Sequence, residues 1–307
     1  MSVEPPPDRL LATCWTTAGD AAPYPGRHTS PLTLPDRITA ASRAGFRAFG
    51  VLDFDLRAYL QHSDLATLAV ILDDSGMDYV ELEFLTRWWT TGPERELSDA
   101  NKALLFYAAE VLGAHHVKVA PDLDDVSTPD IGLWADAFHG LAVQAAEHGT
   151  RVALEFMPFA NISTLDCAVQ VATQAGHPAG GLLIDLWHVQ RSGATMADVA
   201  AVPIDLILAI ELDDGTAEPV GDPYDDTCLR RLLPGEGEFP VAEFAATCMR
   251  SGWSLPWGVE IINEHFRMRE LDDGLADVVA RTREQLAAAR ARTRDSIPAT
   301  NLPRSTH

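Results

Sequence analysis

The chain has 307 residues, 47% of them hydrophobic, enough to bury one large core, and a single barrel of about 250 residues with short extensions fits that length. Its 45 acidic against 23 basic residues give a formal charge of −22, a field that repels nucleic acids and anionic membrane surfaces and favours small neutral substrates and metal cations. The acidic, Pro-rich start MSVEPPPDRL, the lack of a long uncharged apolar run and four cysteines without CxxC spacing predict neither a secretory signal, a membrane span, a zinc knuckle nor a disulfide framework, and point to a reducing cytoplasm.

In chain order, short β-like apolar runs stand at 10–15, 46–53, 79–84, 116–120, 151–157, 181–185, 206–212 and 258–262. Amphipathic segments such as LPDRITAASRAG, SDANKALLFYAAEVLG, LWADAFHGLAVQAAEHG and VAEFAATCMRSG separate them, each ending at a glycine suited to a left-handed cap. LADVVARTREQLAAARAR supplies a last helix, and the loop-like composition after it predicts a frayed tail over 293–307. Eight strands alternating with helices predict an α/β chain of one domain, a (β/α)8 barrel over 1–292. A doubly wound sheet alternates in the same way. The phosphate-cradling GxGxxG and GxxxxGK[ST] loops of nucleotide-binding folds, however, follow none of these runs.

In such a barrel the carboxyl ends of the strands converge on one open face. Four late strands each carry an acid there: Glu155 in RVALEFMP, Asp185 in GLLIDLWH, Glu211 in LILAIELDD and Glu260 in WGVEIIN. A carboxylate that ends an apolar run is costly unless paired or bound to a cation, so four aimed at one point predict a hard divalent metal. Surface acids or ion-pair partners are the plainer alternative for any one of them taken alone. Asp185 is followed at the third position by His188, whose loop position suits a metal ligand, a proton shuttle or a donor to a substrate hydroxyl.

Together these residues resemble the sugar phosphate isomerase/epimerase superfamily, the xylose isomerase-like TIM barrels, which include ketose 3-epimerases, inosose dehydratase and hydroxypyruvate isomerase. The resemblance runs from the first strand to the last helix. It implies one divalent ion, Mn, Mg or Co, held by Glu155, Asp185, Glu211 and Glu260. The stretch RLLPGEG at 231–237 resembles the family's R-x-x-P-G-E-G loop, which implies that Arg231 touches substrate oxygen and Glu236 orients nearby groups. Glu211 departs from the histidine usual in the epimerases, and an Asp- and Pro-rich insertion at 215–228 replaces a short loop. The first puts the exact reaction in doubt, and the second suits a cover for the mouth.

The chemistry so implied is deprotonation beside the carbonyl of an α-hydroxyketone, a ketose or keto-cyclitol, through an enediolate. Glu155 and Glu260 act as acid/base pair, and His188 and Arg231 hold substrate oxygens. The outcome is isomerisation or epimerisation. A lyase of the same family, dehydrating an inosose or eliminating from a 3-keto-glycoside, is the alternative. Trp15, Glu83, Trp88 and Lys118 are expected at the pocket wall, Lys118 pointing either into the site or toward an acid; His265 and Arg267 lie on the final loop; Asp53, Asp55 and Glu81 read as structural. A zinc-cluster endonuclease of the same superfamily is disfavoured by the charge and by the lack of further histidine ligands. A non-catalytic sugar-binding or partner subunit remains a further reading, and the resemblance implies pairing of copies through the barrel mouths.

Overall fold

Eight parallel strands close into one barrel in chain order: β1 Leu10–Ala12, β2 Ala48–Leu52, β3 Tyr79–Leu85, β4 His116–Val119, β5 Val152–Glu155, β6 Gly180–Asp185, β7 Ile207–Leu212 and β8 Trp257–Val259. The computed structural model describes residues 8–123 and 130–295. β1 pairs with β8, Leu11 beside Gly258, and shuts the ring, which settles the choice against an open doubly wound sheet.

Each expected run contains a strand, but most are shorter than the apolar pattern. Leu10–Ala12 gives way at once to a helix, α1 Cys14–Thr17, so Trp15 sits on a helical turn rather than on the strand. Trp257–Val259 ends one residue before Glu260. At this seam Thr16 Oγ1 donates to the carbonyl of Val259 at 2.7 Å and accepts from the amide of Ile261 at 2.8 Å. One buried threonine thus grips the backbone on both sides of Glu260.

The helices form the outer layer. α2 Leu34–Ala44, α3 Asp53–Tyr59, α4 Leu65–Asp74 and α5 Pro93–Leu112 precede β4; α6 Ile131–Glu147, α7 Leu165–Ala175, α8 Leu186–Ser192 and α9 Met196–Ala201 precede β7. α10 Pro223–Leu229 and α11 Val241–Ser251 follow, and α12 Leu271–Asp295 lies against α11 and α2 to complete the ring. α2, α5 and α11 stop at the expected left-handed glycines Gly45, Gly113 and Gly252. α6 is capped instead by His148 at φ −95°, with the left-handed Gly149 one residue later. α12 runs to Asp295, into the segment expected to fray; 296–307 lie outside the described residues. No helix among the described residues is long and apolar enough to cross a membrane.

Strand residues alternate between the barrel interior and the helical layer. Val152, Leu154, Leu182, Ile184, Ile210, Leu212 and Val259 join the large core shared with the helices. Ala153, Leu183 and Ala209, two residues before Glu155, Asp185 and Glu211, form a separate small apolar cluster inside the barrel. The three acids therefore stand directly above an apolar plug. On β3 and β4 the inward positions are polar instead: Glu81, Glu83, His116 and Lys118 are all buried.

Candidate active site

Glu155, Asp185, Glu211 and Glu260, from four consecutive strand ends, each offer one oxygen, and these oxygens all lie within 4.8 Å of one another. Every one of the four residues is buried. Gly258 makes room for this: it pairs with Glu211 across β7 and β8, and a Cβ there would come within 2.8 Å of Glu211 Cγ. His188 joins from the first turn of α8, its Nε2 3.3 Å from Glu155 Oε1 and 3.6 Å from Asp185 Oδ2. Asp185 itself caps α8, accepting from the amide of Trp187 at 2.9 Å, so the strand-to-helix turn that follows Asp185 also aims His188.

Two buried cations enter the cluster. Lys118 Nζ lies 2.5 Å from Glu211 Oε1, 3.1 Å from Glu260 Oε1, 3.3 Å from Glu83 Oε2 and 3.7 Å from Glu81 Oε1. Arg231 Nη1 lies 2.7 Å from both Asp185 Oδ2 and Asp213 Oδ2 and 3.2 Å from Glu260 Oε2. Burial raises the Asp185 carboxyl, but Arg231 and His188 more than reverse that and hold it at about 2. Burial and the neighbouring Glu260 push Glu211 well above the carboxylate range despite Lys118. Burial works against the Lys118 ammonium, yet Glu211, Glu260, Glu81 and Glu83 outweigh it and keep the amine protonated.

Seven buried carboxylates, Glu81, Glu83, Glu155, Asp185, Glu211, Asp213 and Glu260, thus face two permanent cations, Lys118 and Arg231. Among the described residues neither Glu155 Oε1 nor either Glu211 oxygen accepts a hydrogen bond, although Lys118 Nζ lies 2.5 Å from Glu211 Oε1. Buried acceptors are normally satisfied. An excess of oxygen donors with unmet bonding capacity suits a hard divalent cation.

A cavity of about 460 Å³ opens above the cluster, and Glu155, His188, Arg231, Glu260 and Trp15 line it. Glu83 lines it too, with burial raising its carboxyl to about 7. The insertion reaches the mouth through α10, whose Tyr224, Thr227 and Cys228 are part of the wall.

Other expected residues lie elsewhere. Lys118 is buried beneath the acids and is absent from the cavity wall, so of its two expected directions it takes the one toward acids. Glu236 does not join the site: the turn after Leu233 leaves it exposed, with Oε1 3.0 Å from Arg281 on α12. The organiser of that loop is Asp214, which accepts from the amides of Gly215, Gly235 and Phe239 at 2.8, 2.9 and 2.9 Å. A Cβ on Gly237 would strike Asp214 Oδ1 at 2.4 Å. Trp88 sits in the outer core, donating to Ala120 O at 2.9 Å. Arg267 pairs with Asp20 at 3.1 Å and, like His265, is outside the cavity wall.

Asp55 is bound to Arg37 at 2.5 Å and Glu81 to His116 at 2.8 Å, both buried. Asp53, expected to be structural, instead lines the cavity. Asp213 was not singled out from the sequence; the signal was its spacing, two residues after Glu211 and hence on the same side of the strand.

A closed (β/α)8 barrel with a carboxylate cluster at the carboxyl ends of its strands defines the class of this molecule. The chain belongs to the xylose isomerase-like TIM barrel family, whose model matches residues 38–290. It is similar to a 3-dehydroshikimate dehydratase of Pseudomonas putida, 24% identical over 247 residues, which are 80% of this chain but 38% of that protein. An inosose isomerase of Halalkalibacterium halodurans is 25% identical over 133 residues, 43% of this chain and 46% of that protein. The chain therefore spans less than half the length of either relative. Among solved structures, a xylose isomerase-like TIM barrel/4-hydroxyphenylpyruvate dioxygenase fusion protein superposes with a TM-score of 0.81 at 20% identity, covering 94% of this chain and 44% of that one. IOLI protein with a bound zinc atom gives 0.76 at 16% identity, covering 92% and 98%. An L-ribulose 3-epimerase gives 0.72 at 14% identity, covering 96% and 100%.

Proposed function

We propose that this chain is a divalent-cation-dependent enzyme that removes and returns the proton beside the carbonyl of a small hydroxylated, sugar-like ketone, giving isomerisation or epimerisation. One observation carries the reading: four acids from four strands present their oxygens within 4.8 Å of one another, and two of them, Glu155 and Glu260, line a cavity. Glu155, Asp185, Glu211 and Glu260 would hold the ion, Mn, Mg or Co, with zinc the ion of the IOLI neighbour. When bound, it supplies Lewis acidity toward the substrate carbonyl.

The chain's own groups do the rest. Glu155 and Glu260 both face the cavity and act as the acid and base that take and return the proton. His188, with neither ring nitrogen hydrogen-bonded among the described residues, meets a substrate oxygen from the α8 side. Arg231, fixed by Asp185, Asp213 and the Thr227 hydroxyl, has one Nη2 N–H left to present to another. Trp15 offers a ring face at the rim.

The dehydratase relatives, matched over 80% and 76% of this chain, support a second reading. With a hydroxyl β to the carbonyl, the carbanion formed by the same deprotonation expels it, and a protonated carboxyl of the pair delivers the proton that makes it water. Incubating the metal-loaded protein in deuterated water with ketoses, inososes and 3-dehydroshikimate separates the two. Deuterium in recovered or isomeric ketone supports the first, a dehydrated product the second. Glu260→Gln is expected to lower exchange by at least 100-fold; exchange at the parent rate would remove Glu260 from the pair.

A further inference from the structure

The cavity is larger than a single sugar ring requires and falls in the range of about 300–1,000 Å³ that holds drug-sized ligands. Its floor is acidic and its upper wall apolar. Phe54, 43% exposed, stacks on His28 with ring centres 4.5 Å apart and planes 11° from parallel. Leu97, 72% exposed, stands in the same wall. Three strands round the ring, Phe159 lies edge-on to His188 and to Tyr224. The Tyr224 hydroxyl donates to the carbonyl of Pro23, so what Tyr224 offers the cavity is ring surface. Aromatic faces left open beside a polar site recognise flat apolar groups.

The charged groups of the wall point to an uncharged ligand. Arg231 is bound by Asp185 and Asp213, and Arg87 pairs with Glu94 at 3.0 Å and with Asp122 at 3.8 Å. Burial lowers His28, so its ring is neutral at pH 7. Among the described residues of the wall, each guanidinium is already engaged by carboxylates, while Asp53, Glu83, Glu155 and Glu260 also face the space. Along the wall, away from the ion proposed at the floor, a phosphate or carboxylate on the ligand would meet acids without a free cation to balance them.

Resting on the proposed site chemistry, we infer that the substrate is an uncharged hydroxylated carbonyl compound carrying a ring-sized apolar substituent, which Phe54, Leu97 and Phe159 select. The hydroxylated ring sits over the acids and the substituent against the aromatic wall.

Binding of unreactive probes tests this without turnover. The manganese-loaded full chain is titrated calorimetrically with phenyl β-D-glucoside, methyl β-D-glucoside and glucose 6-phosphate. The phenyl glucoside is expected to bind at least 10-fold tighter than the methyl glucoside, and glucose 6-phosphate more weakly than either. Phe54→Ser and Leu97→Ser, at exposed positions where folding is not at stake, are each expected to reduce the phenyl preference 3-fold or more. Equal binding of phenyl and methyl glucosides, tighter binding of the phosphate, or a phenyl preference untouched by both variants would overturn the inference. Repeating the titration with Glu155→Gln keeps the two readings apart: a phenyl preference that persists where isotope exchange is found in neither protein sinks the proposed reaction and leaves the selectivity standing.

Discussion

Replacing Lys118 by Met removes the ammonium that sits 2.5 Å from Glu211, 3.1 Å from Glu260 and 3.3 Å from Glu83, all of them buried. Methionine fills a similar volume, so the change is chiefly one of charge. Breaking a buried ion pair from one side costs about 3–5 kcal/mol, because the abandoned partner stays out of water. A chain of this size loses about 2–4 °C of Tm per kcal/mol, so the metal-free variant is expected to melt roughly 6–20 °C below the parent. A divalent ion stabilises by RT ln(1 + [L]/Kd), and the variant cluster carries one more uncompensated negative charge. Manganese should therefore raise the variant's Tm more than the parent's. Differential scanning calorimetry with chelator and then with stepped manganese measures both effects. A chelated variant within about 2 °C of the parent, or a smaller manganese response in the variant, would refute the account of Lys118 as the internal counter-ion.

Two further outcomes follow from the geometry. Glu236→Gln removes a partly exposed pair with Arg281, worth about 0–1 kcal/mol, and keeps an oxygen able to accept from the Leu233 amide, as Glu236 does at 3.4 Å. Its Tm should shift by no more than roughly 4 °C, with KM unchanged, whereas a KM rise would return Glu236 to the substrate. For Asp53, burial raises the carboxyl from 3.8 to about 6 against the pull of Arg57. The folded state then holds a proton that the unfolded state releases, so this contribution is full below about pH 4 and is lost as pH rises through 6. Across that window the parent should lose up to ~3 kcal/mol relative to Asp53→Asn; denaturant melts at pH 4, 5, 6 and 7 that run parallel for the two proteins would contradict it.

Period and punctuation made the barrel legible. Each of the eight apolar runs holds a strand, and Gly45, Gly113 and Gly252 stop their helices where the pattern places them. The four acids were legible for a related reason: each interrupts or ends an apolar run, a costly place for a charge. Strand ends were less so, because apolar content does not distinguish a strand from the buried turn after it. Trp15 and Glu260 continue an apolar run yet lie beyond the last residues of β1 and β8. Side-chain direction was the weakest signal. Glu236 belongs to the loop that supplies Arg231 and still turns to α12, while Asp53 turns into the cavity. For Glu236 the choice depends on Arg281, 45 residues away (281 − 236), which local sequence does not specify.

The grip of Thr16 on the backbone either side of Glu260 carries a consequence for how the protein is born. The residue that aims the last of the four acids stands 244 positions ahead of it (260 − 16), so all the intervening chain is made before the two can meet. A chain halted after β7 would hold Glu155, Asp185 and Glu211 beside Lys118 but lack Arg231 and Glu260, so the four-acid cluster on which the proposed ion site rests is complete only once the final stretch has been made.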